Sequence, residues 1–368
     1  EFQSGSELND LENAVRSFNL NPTRDNATIV TDNMVTTSDK VATFSNRPLE
    51  GALFGGTTVA IPGESYGMAF YLAGQASGGG QLEYKDAQTV TDLTNELNSA
   101  FDLQEQWDTL TPQQRQDQLT ALVTNSKYIQ VASDGSGQLT ISLNEGAVKP
   151  QSEIQSRAVL ATEFGFSYAR NFEFQFGELA IGVTPKFQKI TTIDYKADVD
   201  TDPNNVNIED YMENSSAFNI DIGVAKHYGN GVTTGLVLKN LIPQSFRTVN
   251  VTGRGDIEQK PQLRFGAAHA KKWNPVVSSV LAMDLDITEN SAGFDDKSRV
   301  LGLGAELDLY STVQLRLGYR SDLSSDSYAD AITAGLGISP FGVHMDLALS
   351  ASPNLEQAYG GLQFGFRY

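Results

Sequence analysis

The sequence predicts an all-β fold, a transmembrane antiparallel β-barrel of about 14 strands with a long, partly helical extracellular loop. Three observations predict it. From Leu53 onward, large apolar residues alternate with small or polar ones over stretches of about ten residues. No run approaches the roughly 20 apolar residues that a membrane-spanning helix needs. The connections between the stretches are alternately short and long, which is typical of outer-membrane barrels.

The composition excludes several classes of protein. The 368 residues include no cysteine, and 45 acidic against 26 basic side chains give a net charge of -19. Disulfides, cysteine zinc sites and thiol catalysis are therefore excluded, and nucleic acid is not an expected partner. The mean hydropathy of -0.28 resembles that of a soluble protein, but half of each barrel strand faces a polar interior. Glu1-Phe2-Gln3 lacks the features of a signal peptide, so we expect a mature or trimmed form.

The alternation assigns the two faces of each strand. Phe218, Ile220 and Ile222 share one face of a stretch, whereas Asn219 and Asp221 share the other. The core of a soluble β-sandwich would tolerate few such charges, but a polar lumen accepts them. We therefore expect the apolar residues to face lipid and the polar residues to face the lumen.

Thirteen stretches carry this pattern. They are Leu53–Ala60, Tyr66–Gln75, Ala158–Arg170, Leu179–Thr192, Ala217–Tyr228, Val232–Leu241, Gln262–Lys272, Val276–Thr288, Arg299–Leu309, Thr312–Asp322, Ala331–Pro340, Val343–Ser352 and Tyr359–Tyr368. Single-chain bacterial barrels have even strand numbers. A fourteenth strand is therefore expected, either within Ala27–Phe44 or upstream of Glu1.

The tight connections are expected on the periplasmic side. They contain strong turn signals such as Asn230-Gly231 and Asn274-Pro275. Aromatic residues cluster beside them, which predicts a girdle at the membrane interface, although ordinary strand-end aromatics are an alternative. These residues are Phe172, Phe174, Phe176, Tyr228, Trp273, Tyr310 and Phe341.

The chain divides into an N-terminal segment, residues 1–52, and a barrel, residues 53–368, with an insertion at residues 77–157. Within the insertion we predict a flexible exit at Gly78-Gly79-Gly80, a helix from Asp92 to Leu103, and a second helix that Thr111-Pro112 begins. A small hairpin is predicted from Tyr128–Ala132 and Gln138–Leu143. The insertion is expected to cap the outer mouth, and a merely exposed loop is the alternative.

Apolar residues of the insertion are a candidate site for capturing hydrophobic ligands. An alternative is that they pack the loop against itself. They are Leu93, Leu97, Phe101, Leu119, Leu122 and Val123.

Charged residues of the lumen face are interpreted as cross-strand partners rather than catalytic groups. They are Glu163, Asp221, Lys239, Arg264, Asp284, Glu306, Arg316, Arg320 and Asp346. Of the three histidines, His227 and His344 are expected in the lumen near the periplasmic strand ends and His269 on the other face. The match Gly63-Glu64-Ser65-Tyr66-Gly67 is predicted to be a hairpin turn rather than a nucleophile elbow. We expect neither enzymatic activity nor a cofactor.

One acidic loop imitates a calcium-binding loop. Asp198, Asp200, Asp202 and Glu209 occupy ligand positions, but Pro203 stands where a glycine is needed. A solvated acidic loop is the preferred interpretation.

Two segments carry a family resemblance. The C-terminal Gly360 to Tyr368 resembles the outer-membrane insertion signal, which ends on an aromatic residue. The acidic stretch Glu7 to Phe18 and the segment Gly55 to Pro62 resemble the TraF family of conjugal-transfer outer-membrane proteins. That family is distantly similar to FadL-type fatty-acid transporters, barrels of 14 strands with an N-terminal hatch. If the first strand and hatch are missing, residues Glu1 to Gly51 form the first outer loop.

The resemblance implies an outer-membrane location in a Gram-negative bacterium and leaves three functions open. The first is passive uptake or binding of hydrophobic small molecules. The second is a structural or accessory role in conjugative transfer or surface assembly, with protein partners instead of a ligand. The third is a general diffusion porin, against which the elaborate outer loop argues.

Overall fold

A computed structural model describes residues 27–133, 139–144, 146–175, 177–292, 296–324, 330–353, 355 and 357–366. Its main element is one 13-stranded antiparallel sheet, which confirms the predicted fold class. The strands of this sheet are β1 Leu49–Pro62, β2 Tyr66–Glu83, β5 Glu153–Phe174, β6 Gly177–Asp198, β7 Met212–His227, β8 Val232–Lys239, β11 Gln262–Lys272, β12 Val277–Asp286, β15 Val300–Leu309, β16 Val313–Asp322, β17 Ala331–Ile338, β18 Val343–Ala351 and β19 Ala358–Phe366.

The remaining elements lie in the connections between these strands. Three hairpins pair β3 Ile129–Ser133 with β4 Leu139–Leu143, β9 Gln244–Phe246 with β10 Ile257–Gln259, and β13 Asn290–Ala292 with β14 Asp296–Ser298. The α-helices are α1 Ala27–Phe44, α2 Ala87–Gln106 and α3 Pro112–Asn125, and short 3-10 helices span Trp107–Thr109, Pro203–Asn205 and Ile208–Tyr211. Within the described part of the chain, none of the helices combines the length and apolar character of a membrane-spanning helix.

All thirteen predicted strands are present in the predicted order, and the strands of the sheet pair as a meander. The two end strands, β1 and β19, both run from the side of the long loops to the side of the short turns. Four parts of the prediction lie outside the described residues: the acidic stretch Glu7–Phe18, residues 134–138 of the small hairpin, Phe176 and the terminal Tyr368.

Two details of the prediction are wrong. The segment Ala27–Phe44 is the helix α1, not a fourteenth strand: its buried residues Thr31, Met34 and Ser38 recur at helical spacing. The glycines from Gly78 to Gly80 form no flexible exit but belong to β2. A Cβ at Gly78 would lie 2.4 Å from the Cβ of Ala158 on β5, so glycine lets the two strands approach. The insertion consequently spans residues 84–152.

The two faces of the sheet differ as the alternation predicts. On β7, Phe218 and Ile222 are exposed on one face, while Asn219 on the other face is fully buried. On β15, Leu303 and Leu307 are exposed on the same face as Phe218. We call this side the apolar face and the opposite side the polar face.

The strands differ greatly in length. β5 and β6 have 22 residues each and β2 has 18, whereas β15 and β16 have 10 each. About 9 to 11 residues suffice for a tilted strand to cross a bilayer. Most of the extra length lies on the side of the long loops, so β2, β5, β6 and β7 form a tall wall that projects beyond a membrane.

The insertion and the helix α1 fold together into a compact cap on the tall wall. The cap consists of α1, α2, α3 and the β3–β4 hairpin around a common apolar core. Thr111 is the N-cap of α3, as predicted, with Pro112 in the first turn. Glu96 of α2 accepts hydrogen bonds from the backbone N–H groups of Tyr128 and Ile129, at 2.8 and 3.1 Å. These bonds join the hairpin to the helix.

The cap is attached to the sheet by polar contacts. Tyr84, directly after β2, shares a 2.7 Å hydrogen bond with Ser38 of α1, and burial raises the pKa of Tyr84. Lys85 donates to Glu153 at 2.5 Å, and this bond raises the pKa of Lys85. The cap is thereby fixed to the upper end of β2 and β5.

Candidate functional site on the polar face

A group of charged side chains lies halfway up the tall wall. Lys186 of β6 is 3% exposed, and its Nζ lies 3.1 Å from a carboxylate oxygen of Asp221 and 3.7 Å from one of Glu163. Gln188 donates to Glu163 at 2.5 Å. The buried cation is thus held between two carboxylates on neighbouring strands, which offsets the cost of taking it out of water.

A second network crosses β15, β16 and β18. The guanidinium of Arg316 donates to Glu306 at 2.6 Å and also to Asp346. Asp346 in turn contacts His344, whose Nδ1 lies 2.7 Å from Oγ of Ser339. This continuous chain of contacts joins β15, β16 and β18 with Ser339, the residue that follows β17, near the short turns.

Glycine at position 337 makes room for this second network. A Cβ there would lie 2.5 Å from Oδ1 of Asp346 and 2.7 Å from Oε1 of Gln314. The network therefore rests directly on the backbone of β17, and any side chain at Gly337 would displace it.

All nine charged residues predicted for the lumen lie on the polar face, as their strand registers show. Cross-strand pairing is confirmed for Arg264, which donates to Asp286 at 2.6 Å, and for Arg316. Lys239, Asp284 and Arg320 lie on the same face beside small or amide residues. Asp284 and Arg320 flank Gly302, where an added Cβ would meet nothing within 4 Å.

The connection between β8 and β11 lies against the polar face of the tall wall. We call this connection, residues 240–261, the strap; it contains the β9–β10 hairpin. Fully or almost fully buried side chains of the wall bind it, including Asn219, which donates to the carbonyl oxygen of Ile242 at 2.9 Å and accepts from its N–H at 3.0 Å. The upper part of the polar face is therefore covered rather than open.

Sequence reasoning missed several of these polar residues. Lys186 follows a proline, and Arg157 and Asp194 lie in stretches predicted to be loop, so they were not assigned to a face. Side chains alternate between the two faces along a strand and cross-strand partners share a face, so the register of β5 and β6 places all three on the polar face with Glu163. The signal was present in the period-two pattern, which extends further than the predicted strand ends.

The apolar residues proposed as a capture site lie in the cap. Leu93, Leu97 and Phe101 are buried in its core, and Leu119 and Leu122 pack against that core. Only Val123 of the six is exposed. The packing alternative thus accounts for five of the six side chains, because a residue that closes a core is not available to a ligand.

The acidic loop holds no ligand set. Asp202 accepts hydrogen bonds from the side-chain amides of Asn204 and Asn205, at 2.9 and 3.2 Å. Among the described residues, which include Asp198, Asp200 and Glu209, no three acidic or histidine side chains converge as a metal site requires.

Exposed aromatic residues line the side of the short turns, where the girdle was predicted. Trp273, Tyr310 and Phe341 are among the most exposed large apolar residues. Basic side chains stack on some of these rings: Nζ of Lys271 lies 3.9 Å from the ring centre of Trp273, and Nζ of Lys226 lies 5.2 Å from that of Tyr228. Rings and cations together suit a lipid headgroup layer.

The histidines lie where they were predicted. His227 and His344 are on the polar face near the short turns, and His269 is on the apolar face opposite Leu281. His227 contacts the hydroxyl of Thr233 at 2.8 Å.

The apolar face of the tall wall carries a groove beside a break in the sheet. Phe164, Phe187 and Phe218 line up across β5, β6 and β7 and border a groove of about 520 Å³. Phe187 is 64% exposed, and its ring lies 5.2 Å from that of Phe218. Next to it, the β5–β6 ladder is interrupted at Pro185, which has no N–H to donate.

A single antiparallel meander, apolar on one face and ion-paired on the other, defines a protein of the transmembrane β-barrel class. The chain belongs to the TraF family, because the family model described as F plasmid transfer operon, TraF, protein matches residues 4–286, most of the sequence. The resemblance stated from the sequence is thereby confirmed.

Comparison with solved structures gives a more distant similarity. The crystal structure of the Pseudomonas putida toluene transporter TodX matches with 10% sequence identity and a TM-score of 0.34, over 82% of this chain and 83% of that chain. No curated protein matches the chain.

Proposed function

We propose that this chain is an outer-membrane barrel of a Gram-negative bacterium that takes up or binds hydrophobic small molecules, with no catalytic step. The break at Pro185 beside the phenylalanine groove carries the proposal. A proline within a central strand removes a ladder hydrogen bond, which is costly in a bilayer where water cannot replace the bond. Passage of a ligand through the wall would account for a missing ladder hydrogen bond at this position.

The polar face supports a route through the wall rather than along the lumen. Ion pairs such as those of Lys186 and Arg316 lie on this face, and its upper part is covered by the strap. An apolar molecule would lose little by leaving the lipid phase at the groove, whereas the ion-paired surface offers it no apolar contacts. The net charge of -19 also fits a partner other than nucleic acid.

The test is uptake of radiolabelled naphthalene by cells that express the protein, against cells with an empty vector. We expect faster uptake with the protein, and slower uptake when Phe187→Ala removes the exposed ring or Pro185→Val restores the missing donor. Leu317→Ala is the matched control, because Leu317 is also exposed on the apolar face but lies on β16, away from the groove. If cells that contain the folded protein take up naphthalene no faster than cells with the empty vector, the proposal is refuted.

A second candidate is an accessory role in conjugative transfer or surface assembly. The family favours it, and so does α3, which has no buried residue and presents mainly amide side chains. Mating frequency in a strain lacking the protein separates the two functions. Complementation by wild type but not by a variant with α3 replaced would favour the accessory role.

The third function, a general diffusion porin, is tested by measuring the conductance of the purified protein in a planar lipid bilayer. A porin is expected to give stable open steps of current.

A further inference from the structure

We propose that the strap is a gate over the outer part of the polar face, held shut by polar side chains of the tall wall and released from them as a unit. This goes beyond uptake itself, since it concerns how the interior is closed. The strap begins after β8, crosses in front of β7 and β6, and reaches β5 before it returns to β11.

The wall holds the strap mainly by its backbone. Arg157 donates to the carbonyl oxygen of Gly255 at 2.5 Å. The hydroxyl of Thr192 donates to the carbonyl oxygen of Arg247 at 2.6 Å. Asp194 accepts from the N–H of Thr252 at 3.2 Å. With Asn219, four buried side chains from three strands thus bind the strap at separate points along its length.

Little apolar burial contributes to the closed position. Phe246 is the one large apolar side chain of the strap that is buried, at 4% exposure, whereas Val249 and Val251 are each 37% exposed. Two atoms, Oδ2 of Asp194 on the wall and Oγ1 of Thr252 on the strap, are buried without a hydrogen-bond partner. Unsatisfied buried groups oppose closure, and polar bonds can be exchanged for water, so the closed position is only slightly favoured.

Hydrogen bonds within the strap itself would let its tip move as a rigid unit. Oδ1 of Asn250 accepts from the N–H of Gly255 at 2.7 Å, and Thr248 donates to the carbonyl oxygen of the same glycine at 3.0 Å. Gly253 and Gly255 have φ angles of +76° and +72°, which close the tip tightly. These bonds keep the shape of the tip when its contacts with the wall are lost.

The size of the strap suits a gate. A β-ribbon that lies on a sheet occupies about 10 Å of the space in front of it. The interior of a barrel with 13 or 14 strands is only about two to three times as wide. Closure therefore removes a large share of the passage at the outer mouth, and release restores it.

Thiol labelling tests the gate, because the chain has no cysteine of its own. In Thr192→Cys the thiol lies under the strap and replaces one of its four holding side chains, so all strap variants are compared within this background; in Ser352→Cys the thiol lies away from the strap. Both wild-type residues are 1% exposed. We expect a methanethiosulfonate reagent to label position 192 faster than position 352. Adding Arg157→Met should raise the rate at position 192 by about tenfold, since a charged hydrogen bond is lost, and leave position 352 unchanged.

A variant in which a Gly-Ser linker replaces residues 244–259 gives the rate for a fully open position 192. If Arg157→Met does not fold, Asn219→Ala takes its place, with folding judged by heat-modifiable migration on gels. Labelling at position 192 that stays as slow as at position 352 when Arg157, Asp194 and Asn219 are all replaced, yet is fast with the linker, would overturn the gate. The rates are independent of what the barrel carries, so the gate and the uptake proposal can fail separately.

Discussion

Replacing Leu303 by arginine tests which face of the sheet meets lipid. Leu303 lies near the middle of β15 on the apolar face and is 44% exposed. Its register partners on the two neighbouring strands are Met283 and Tyr319. An arginine at this position would therefore find no carboxylate directly across from it on either side.

The expected cost follows from depth in the bilayer. The 10 residues of β15 correspond to one crossing, so Leu303 lies within about 5 Å of the midplane. Arginine on the lipid face costs about 2–4 kcal/mol at that depth. The adjacent Gly304 is the matched control, because a Cβ there points to the polar face and meets nothing within 4 Å. Gly304→Arg should cost less than about 1 kcal/mol.

Both variants would be folded into lipid vesicles and unfolded with urea, with tryptophan fluorescence as the signal. The difference in the free energy of unfolding between Leu303→Arg and Gly304→Arg is the quantity of interest. Equal losses, or a larger loss for Gly304→Arg, would show that the faces are assigned the wrong way round or that the sheet does not lie in a bilayer.

Three further substitutions address particular contacts. Arg316→Met should lower the free energy of unfolding, measured by urea titration, by about 2 kcal/mol, because it leaves Asp346 without its guanidinium partner. Gly337→Ala should cost about 1–3 kcal/mol by displacing the same network, whereas Gly302→Ala, with open space around it, should cost almost nothing, and equal melting temperatures would contradict this. Leu97→Ala should destabilise the cap by about 2–5 kcal/mol, seen as faster hydrogen exchange in α2 with unchanged exchange in the sheet.

Strand positions and faces could be predicted from the sequence because period-two alternation is a local signal. Each strand of the sheet carries it independently, as Phe218 and Asn219 illustrate on β7, and turn residues such as Asn230-Gly231 mark the ends. The helices α2 and α3 were also predictable, since Thr111-Pro112 is a capping signal that depends on neighbouring residues alone.

Features that depend on contacts distant in sequence were not predictable. The helix α1 is rich in threonine and valine, which favour strands. Contacts distant in sequence stabilise it, namely the packing of Met34 in the core of the cap and the hydrogen bond between Ser38 and Tyr84. The strap gave no signal of its position, because Thr192 and Asn219 have the same pattern as any lumen residue. Their role is visible only once backbone groups more than 20 residues away in the chain lie against them.

The unequal strand lengths give this barrel a front and a back. At about 3.3 Å per residue, the 22-residue β5 is some 40 Å longer than the 10-residue β15. A solute that diffuses along the outer surface from the side of β15 meets a rim near the height of the headgroups. One that arrives from the opposite side meets a wall with the cap on top of it. The shape thus distinguishes two directions of approach: the short strands present the low rim, and the tall wall presents the groove at Phe187 to the lipid.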